Sequence, residues 1–286
     1  TAVAGGLGVI IPPRITMIMY GVCSNTSIGD LFVAGIVPGI LLAIIFMITA
    51  RGEAGKRHIE QTTDFSLKEL WLSFVDAIPA LLVPVILLGG IYGGFFSPTE
   101  AGAVACVYGY LVARFWYKEV DSTNIGGILG GALTNTVMVL IIVSASGAFS
   151  WLLTANGVSS LLGSAVGSIA GNKFMFLLIC NLIFLFIGCF IESVAGILIV
   201  TPILLPQALA LGVDPVHFGI IMVVNLALGL TTPPVGENQY IAAAIADIPF
   251  EKQFKASMPF LAANFVGLMI ITYVEELSLW LPRLLA

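Results

Sequence analysis

The chain has 286 residues, of which 59% are hydrophobic and only 9% charged, and its mean hydropathy is +1.07. Soluble domains carry about a quarter charged residues, so this composition excludes a water-soluble protein and defines an integral membrane one. The formal net charge of −5 decides little, because in a bilayer the side on which charges fall matters more than their sum. No basic tract offers a nucleic-acid surface, and no nucleic acid is expected as a partner.

The chain opens at Thr1 in a glycine-rich apolar run with no basic stretch and cleavage site, so it does not start on a signal peptide and reads as part of a longer protein. Ten-residue alternating segments of a membrane barrel are absent, so the spans are helical. The first element, "GLGVIIPPRITM", is interrupted by Pro12 and Pro13. Apolar runs long enough to cross a bilayer follow near Leu31 to Ala50, Ala77 to Phe96, Thr99 to Phe115, Ile125 to Leu153 and Met258 to Leu279. The loop "RGEAGKRHIEQTTDFSLKELW" carries Arg51, Lys56, Arg57 and Lys68 and faces the cytoplasm under the positive-inside rule.

At "FSPTEAG", Ser97 can cap, Pro98 suits a first turn and Glu100 completes a capping box on the periplasmic side. The chain then returns to Arg114 and Lys118, leaves again, and comes back at Glu251, Lys252 and Lys255. Eight of the eleven Lys and Arg residues are cytoplasmic in this reading, with Lys173 and Arg283 outside and Arg14 within the membrane. Cys23, Cys106, Cys180 and Cys189 stand singly without CxxC spacing, which makes them packing residues rather than disulfides or zinc ligands.

Residues 173–212 read either as two complete spans or as one re-entrant hairpin, and charge parity does not decide between them. Then comes "LALGLTTPPVGENQ", Leu226 to Gln239, with a second proline pair at Pro233 and Pro234. An offset of 221 (233 − 12) superposes Pro12 on Pro233, and also Leu7 on Leu228, Gly8 on Gly229, Pro13 on Pro234 and Pro38 on Pro259. Under the charge-derived topology the two copies run in opposite directions, the inverted-repeat construction of secondary transporters.

Proline has no N–H to bond the carbonyl four residues earlier, so Pro233 and Pro234 strand the carbonyls of Gly229 and Leu230, and Pro12 and Pro13 those of Gly8 and Val9. Unpaired carbonyls survive at membrane depth only where buried in protein or lining a wet cavity, and a sodium ion would satisfy them. Gly229, the hydroxyls of Thr231 and Thr232 and the carbonyl of Val235 are the candidate oxygen set at the second break, with Gly8 and Ile11 at the first. The competing reading is a structural kink whose hydroxyls bond back to the helix.

"GLGVIIPPRITMIMYG", "TSIGDLFVAGIVPGILLA", "FSPTEAGAVA" and "TPILLPQALALGVDPVHFGIIMVVNLALGLTTPPVGEN" resemble, in order, stretches of the large membrane subunit of tripartite ATP-independent periplasmic (TRAP) transporters. The resemblance implies an all-α polytopic membrane protein of the bacterial inner membrane, an inverted-repeat elevator-type transporter with broken helices and re-entrant hairpins. It implies sodium-coupled uptake of an organic anion, a carboxylate or sugar acid, with a small membrane subunit and a periplasmic solute-binding protein as partners and no cofactor beyond sodium ions.

It also favours the hairpin reading, which brings residues 188–193 toward the second break and adds the Gly188 carbonyl as a sodium ligand. The implied organisation is a broken helix of the transport domain over 1–30, mainly scaffold helices over 31–153 and a periplasmic-side connection over 154–172. Hairpin and second broken helix occupy 173–250, and a last scaffold helix 251–286. The offset places the first copy's hairpin before residue 1, with about 130 residues expected upstream.

Two residues depart from the family pattern, Arg14 after the first proline pair and Glu237 after the second. An intramembrane cation is a functional suspect by default; Arg14 can receive a substrate carboxylate bidentately or pair with Glu192 at the hairpin tip. Arg14, Glu237 and Asn238 form the candidate substrate set, with Tyr240 a weaker member. "SNT" at Ser24 to Thr26 reads as a loop cap before Asp30.

Catalysis finds no support: His58 and His217 are the only histidines, HExxH is absent, and "SASG" at Ser144 to Gly147 lacks the first glycine of a GxSG motif. Ser144 and Ser146 read as small residues that ease helix packing. The alternatives are a symporter of similar architecture that needs no binding protein, and a non-transporting membrane scaffold.

Overall fold

A computed structural model describes residues 3–56, 66–121, 123–158, 161 and 171–285, and among these it is helical with no strand. A 3-10 turn, Ala4–Gly6, enters α1 (Leu7–Ile10), which stops where Ile11 turns extended (φ −72°, ψ 121°) ahead of the prolines. The chain resumes as α2 (Ile15–Ser24) and α3 (Ile28–Lys56). Then follow α4 (Leu67–Tyr92), α5 (Pro98–Leu111) running on into a π-helical turn at Val112–Trp116, and α6 (Ile125–Ala155). The remaining helices are α7 (Lys173–Gly188), α8 (Ser193–Ala210), α9 (Pro215–Gly229), α10 (Glu237–Ala246), α11 (Phe250–Tyr273) and α12 (Glu276–Leu285).

Helices α3, α4, α6, α8 and α11 are long and apolar enough to cross a membrane. Two expected spans shift in their bounds. The one over Thr99 to Phe115 is the 14-residue α5 running on into a five-residue π turn, 19 helical residues in all, which stays within the about 17–25 residues of a span. The last begins earlier, at Phe250, and stops at Tyr273, where Val274 leaves helical geometry and Glu275 turns to pair with Lys173. The capping box is present as read: Ser97 Oγ accepts from the Glu100 amide, and Glu100 accepts from the Ser97 amide at 2.8 Å. Before Asp30, the capping hydroxyl is Ser27 rather than Ser24, whose Oγ donates to the Tyr20 carbonyl.

Contacts divide the chain into two compact units, Thr1–Glu53 with Ile141–Ala286, and Ala54–Leu140. In the second unit, α4 and α5 form an antiparallel pair held by tyrosines that reach mid-helix carbonyls of α4: Tyr108 donates to Pro79 O at 2.9 Å and Tyr117 to Asp76 O at 2.7 Å.

The first unit is organised around α9, in which every residue from His217 to Gly229 is buried. Helices α7 and α8 pack on it, as do α1, α2, α11 and α12. Between helices in lipid, burial gains close packing rather than transfer from water, so small residues decide where backbones approach. Gly219 shows this: a Cβ there would lie 2.4 Å from the Tyr20 ring, whose hydroxyl donates to Pro215 O at 2.7 Å. Likewise Gly267 on α11 admits Leu42 of α3, and Phe46 meets Phe260 edge-on at 6.5 Å.

A buried polar chain links three of these helices. Asn225 Nδ2 donates to the carbonyl and Oδ1 of Asn181 at 3.0 and 2.6 Å, and Asn181 Nδ2 donates to Thr272 Oγ1 at 3.1 Å. His217 Nε2 lies 3.2 Å from Thr272 O. All four cysteines are free; Cys180 and Cys189 are buried, whereas Cys106 is exposed and does not fill the packing role expected of it.

Candidate ion and substrate site

Helix α9 ends at Gly229, and α10 begins at Glu237 after Gly236, whose left-handed backbone (φ 55°) suits glycine. Both proline–proline bonds, at 12–13 and 233–234, are cis. The repeat extends past the prolines: α2 starts at Ile15 and α10 at Glu237, both ten residues long and 222 apart, and Pro38 and Pro259 both lie inside the helices that follow.

At the second break the carbonyls are not stranded as proline chemistry predicts. The loop folds tightly enough that the Thr232 amide reaches Gly229 O at 2.9 Å and the Asn238 amide reaches Leu230 O at 3.1 Å. The hydroxyls of Thr231 and Thr232 both donate to Leu228 O at 2.8 Å. These oxygens are therefore oriented rather than bare, and each retains lone pairs that a cation can use. At the first break, among the described residues, no amide outside α1 bonds the Gly8 or Val9 carbonyls.

Residues 173–210 form a helical hairpin. Its first arm has 16 residues, about 24 Å at the helical rise, and it turns through Cys189 to Glu192. Glu192 caps the second arm, accepting from the Val194 amide at 2.8 Å. The tip lies on the break through two glycines: a Cβ on Gly229 would stand 2.3 Å from the Gly188 carbonyl carbon, and one on Gly188 would stand 3.1 Å from the Leu226 backbone. Beside this contact a cleft of about 50 Å³ is bordered by Gly188, Glu192, Leu230, Val235 and Glu237, which leaves room for a small cation and a few waters.

So Gly188, Gly229, Val235 and Glu237 are brought together, whereas Thr231 and Thr232 do not border the cleft and fold back on α9 through Leu228 O. Gly8 and Ile11 lie at the first break, whose α1 packs on α9 with Gly6 facing Ala227 and Thr231, and Gly39 of α3 makes space for Ile11. Arg14 is exposed, extended in backbone, and folds back so that a Cβ on Gly8 would lie 2.9 Å from its Nη2. It forms no ion pair with Glu192 among the described residues, and its charge disfavours a second cation at Gly8. Asn238 approaches Gly5, 3.6 Å from where a Cβ would sit, and both border a wider cleft of about 330 Å³ that reaches Gln253. Tyr240 is stacked on Phe250 at 4.1 Å.

Gln239, Ser257 and Gln253 were not legible as site residues. They are single polar residues in apolar or mixed helices, and such residues at membrane depth are the signal that would have found them. His58 and most of the connection over 154–172 lie outside the described residues.

Fold and site together define a polytopic helical membrane protein with two proline-broken helices and a hairpin set tip-first on one break. Residues 1–277 match the family described as the DctM component of tripartite ATP-independent periplasmic transporters, and the chain belongs to that family. It is 41% identical to the C4-dicarboxylate TRAP transporter large permease protein DctM of Pseudomonas aeruginosa, over 98% of this chain and 66% of that protein. It is 40% identical to the isethionate TRAP transporter permease protein DctMQ of Oleidesulfovibrio alaskensis, over 98% of this chain and 44% of that protein. Against the sialic acid TRAP transporter large permease protein SiaM of Vibrio cholerae, identity is 36% over 99% of this chain and 66% of that protein. The chain thus spans about two thirds of the length of the large permeases it matches. Family and candidate spans place it in the bacterial inner membrane.

Proposed function

We propose that this chain is the greater part of a permease subunit that carries an organic anion inward in symport with sodium, the anion being delivered by a periplasmic solute-binding protein and a small membrane subunit completing the carrier. The observation that carries the reading is the glycine-on-glycine seating of the hairpin tip on the second break. It gathers oxygen atoms with oriented lone pairs beside a small cleft that holds no fixed cation, as a sodium site requires.

The elements packed around α9, with α11 and α12 among them rather than in the scaffold expected of 251–286, would move as a body to carry the bound anion across, as in an elevator. Exposed Arg14, with no acid partner among the described residues, is the carboxylate receiver in this reading, and Glu237 and Asn238 border the clefts where selectivity would be set. Relatives are named for C4-dicarboxylates, isethionate and sialic acid; all are organic anions, which supports the class and leaves the individual solute to experiment.

The test uses the intact permease with its partners in proteoliposomes, with sodium and proton gradients imposed separately. Uptake driven by an inward sodium gradient is expected. Equal uptake without one would overturn the coupling.

A further inference from the structure

We propose that Gln239 is a positioning residue for the second break, a clasp that sets the loop between α9 and α10 by fastening it to α11. The proposal rests on the reading of that break as a sodium site.

Gln239 is fully buried on a short helix whose next residues, Tyr240 and Ile241, are 51% and 49% exposed. A buried amide is costly unless both ends are paired, and here both are. Nε2 donates to the Thr231 carbonyl at 3.2 Å, and Oε1 accepts from Ser257 Oγ at 2.9 Å. Gln253 Nε2 closes the group at 3.4 Å from Gln239 Oε1 and 3.3 Å from Ser257 Oγ.

Thr231 lies where helical bonding ends, so a side-chain amide supplies its carbonyl with the donor that a continuing helix would have given. Backbone and side chain of α10 thus hold adjacent carbonyls of the loop, Asn238 N on Leu230 O and Gln239 Nε2 on Thr231 O. The hydroxyls of Thr231 and Thr232 hang on the segment fixed in this way. Groups that hold ligands from behind set their orientation, and a site left without such support loses affinity while its ligands remain present.

The test compares the intact permease with Gln239→Leu, Gln239→Met and Ser257→Ala, each with its partners in proteoliposomes, by sodium titration of uptake. Loss of the donor to Thr231 is expected to raise the sodium half-saturation about three- to tenfold in Gln239→Leu, the range given by one net hydrogen bond. Gln239→Met keeps the length and offers Ser257 only a weak thioether acceptor, and it has no donor for Thr231, so the same shift is expected. Ser257→Ala, which loosens only the anchor, should give a shift of about twofold. Uptake at saturating sodium per folded carrier should stay within about twofold of the parent, the split that marks lost positioning rather than lost fold.

Unchanged half-saturation in both Gln239 variants would overturn the clasp. If the parent shows no sodium dependence, the ion reading fails by itself, and the clasp is judged by thiol labelling of Val235→Cys. Gln239→Met should then raise the labelling rate severalfold, and an unchanged rate would overturn the proposal. Should Gln239→Leu fail to fold, Gln239→Met and Ser257→Ala carry the same comparisons.

Discussion

Gly229→Ala should disrupt the seat of the hairpin more than an alanine at any neighbouring glycine. A Cβ at Gly229 would lie 2.3, 2.5 and 2.7 Å from the carbonyl carbon, Cα and oxygen of Gly188, all backbone, whereas ordinary contact begins at 3.4 Å. The tip must therefore retreat by about 1 Å, an overpacking that costs about 1–3 kcal/mol and stands at the upper end because neither backbone can rotate away. Alanine returns up to about 1 kcal/mol of helix propensity. A net loss of about 2 kcal/mol, roughly thirtyfold in an equilibrium constant, remains.

At Gly188 the added carbon would meet the Leu226 Cα and carbonyl oxygen at 3.1 Å, a matter of a few tenths of an ångström, so propensity and crowding nearly cancel. At Gly196 the neighbours are Leu226 methyls at 3.2 and 3.4 Å, which can turn aside. Thermal unfolding of the purified intact subunit in detergent should fall by about 2–3 °C for Gly229→Ala and by less than about 1 °C for Gly188→Ala and Gly196→Ala. Sodium half-saturation should rise with the first change only. Equal melting of all three variants, or a Gly229→Ala carrier indistinguishable from the parent, would refute the seating of tip on break.

Thr232→Ala removes a hydroxyl that is anchored on Leu228 O; sodium half-saturation in uptake should rise about two- to tenfold, and an unchanged value at matched protein level would make the break a structural kink. Asn225→Leu removes the amide that donates to both oxygens of Asn181, so unfolding should be easier by about 1–3 kcal/mol, and the Asn181→Leu/Asn225→Leu double variant should lose less than the sum. In a background without native thiols, a cysteine at Ser193, 2% exposed, should react far more slowly with an impermeant maleimide applied from the cytoplasm than one at Phe190, 55% exposed. Comparable rates would place the start of α8 in open water.

The sequence alone determined the class of protein, the helical architecture, the position of both broken helices and the correspondence between them. These follow from quantities that are local along the chain: hydropathy over about twenty residues, prolines that cannot donate, and Ser97 three residues ahead of Glu100. It also named Gly188, Gly229, Val235 and Glu237, which do meet, although the resemblance rather than the charge pattern chose the hairpin that brings Gly188 there.

Tertiary structure decided the partners. Pro233 and Pro234 do abolish two helical bonds, but whether Gly229 and Leu230 are then bare depends on which amides the folded loop presents, and Thr232 and Asn238 present theirs. Arg14 is equally legible as an intramembrane cation, yet its place beside Gly8 instead of Glu192 is settled by how the chain folds back at the first break. Gln239 looked like an ordinary polar residue of α10 until Ser257, eighteen positions on, supplied its second bond. A missing donor can be read from one residue, whereas its replacement comes from whatever the packed helices bring within about 3 Å, which no local pattern encodes.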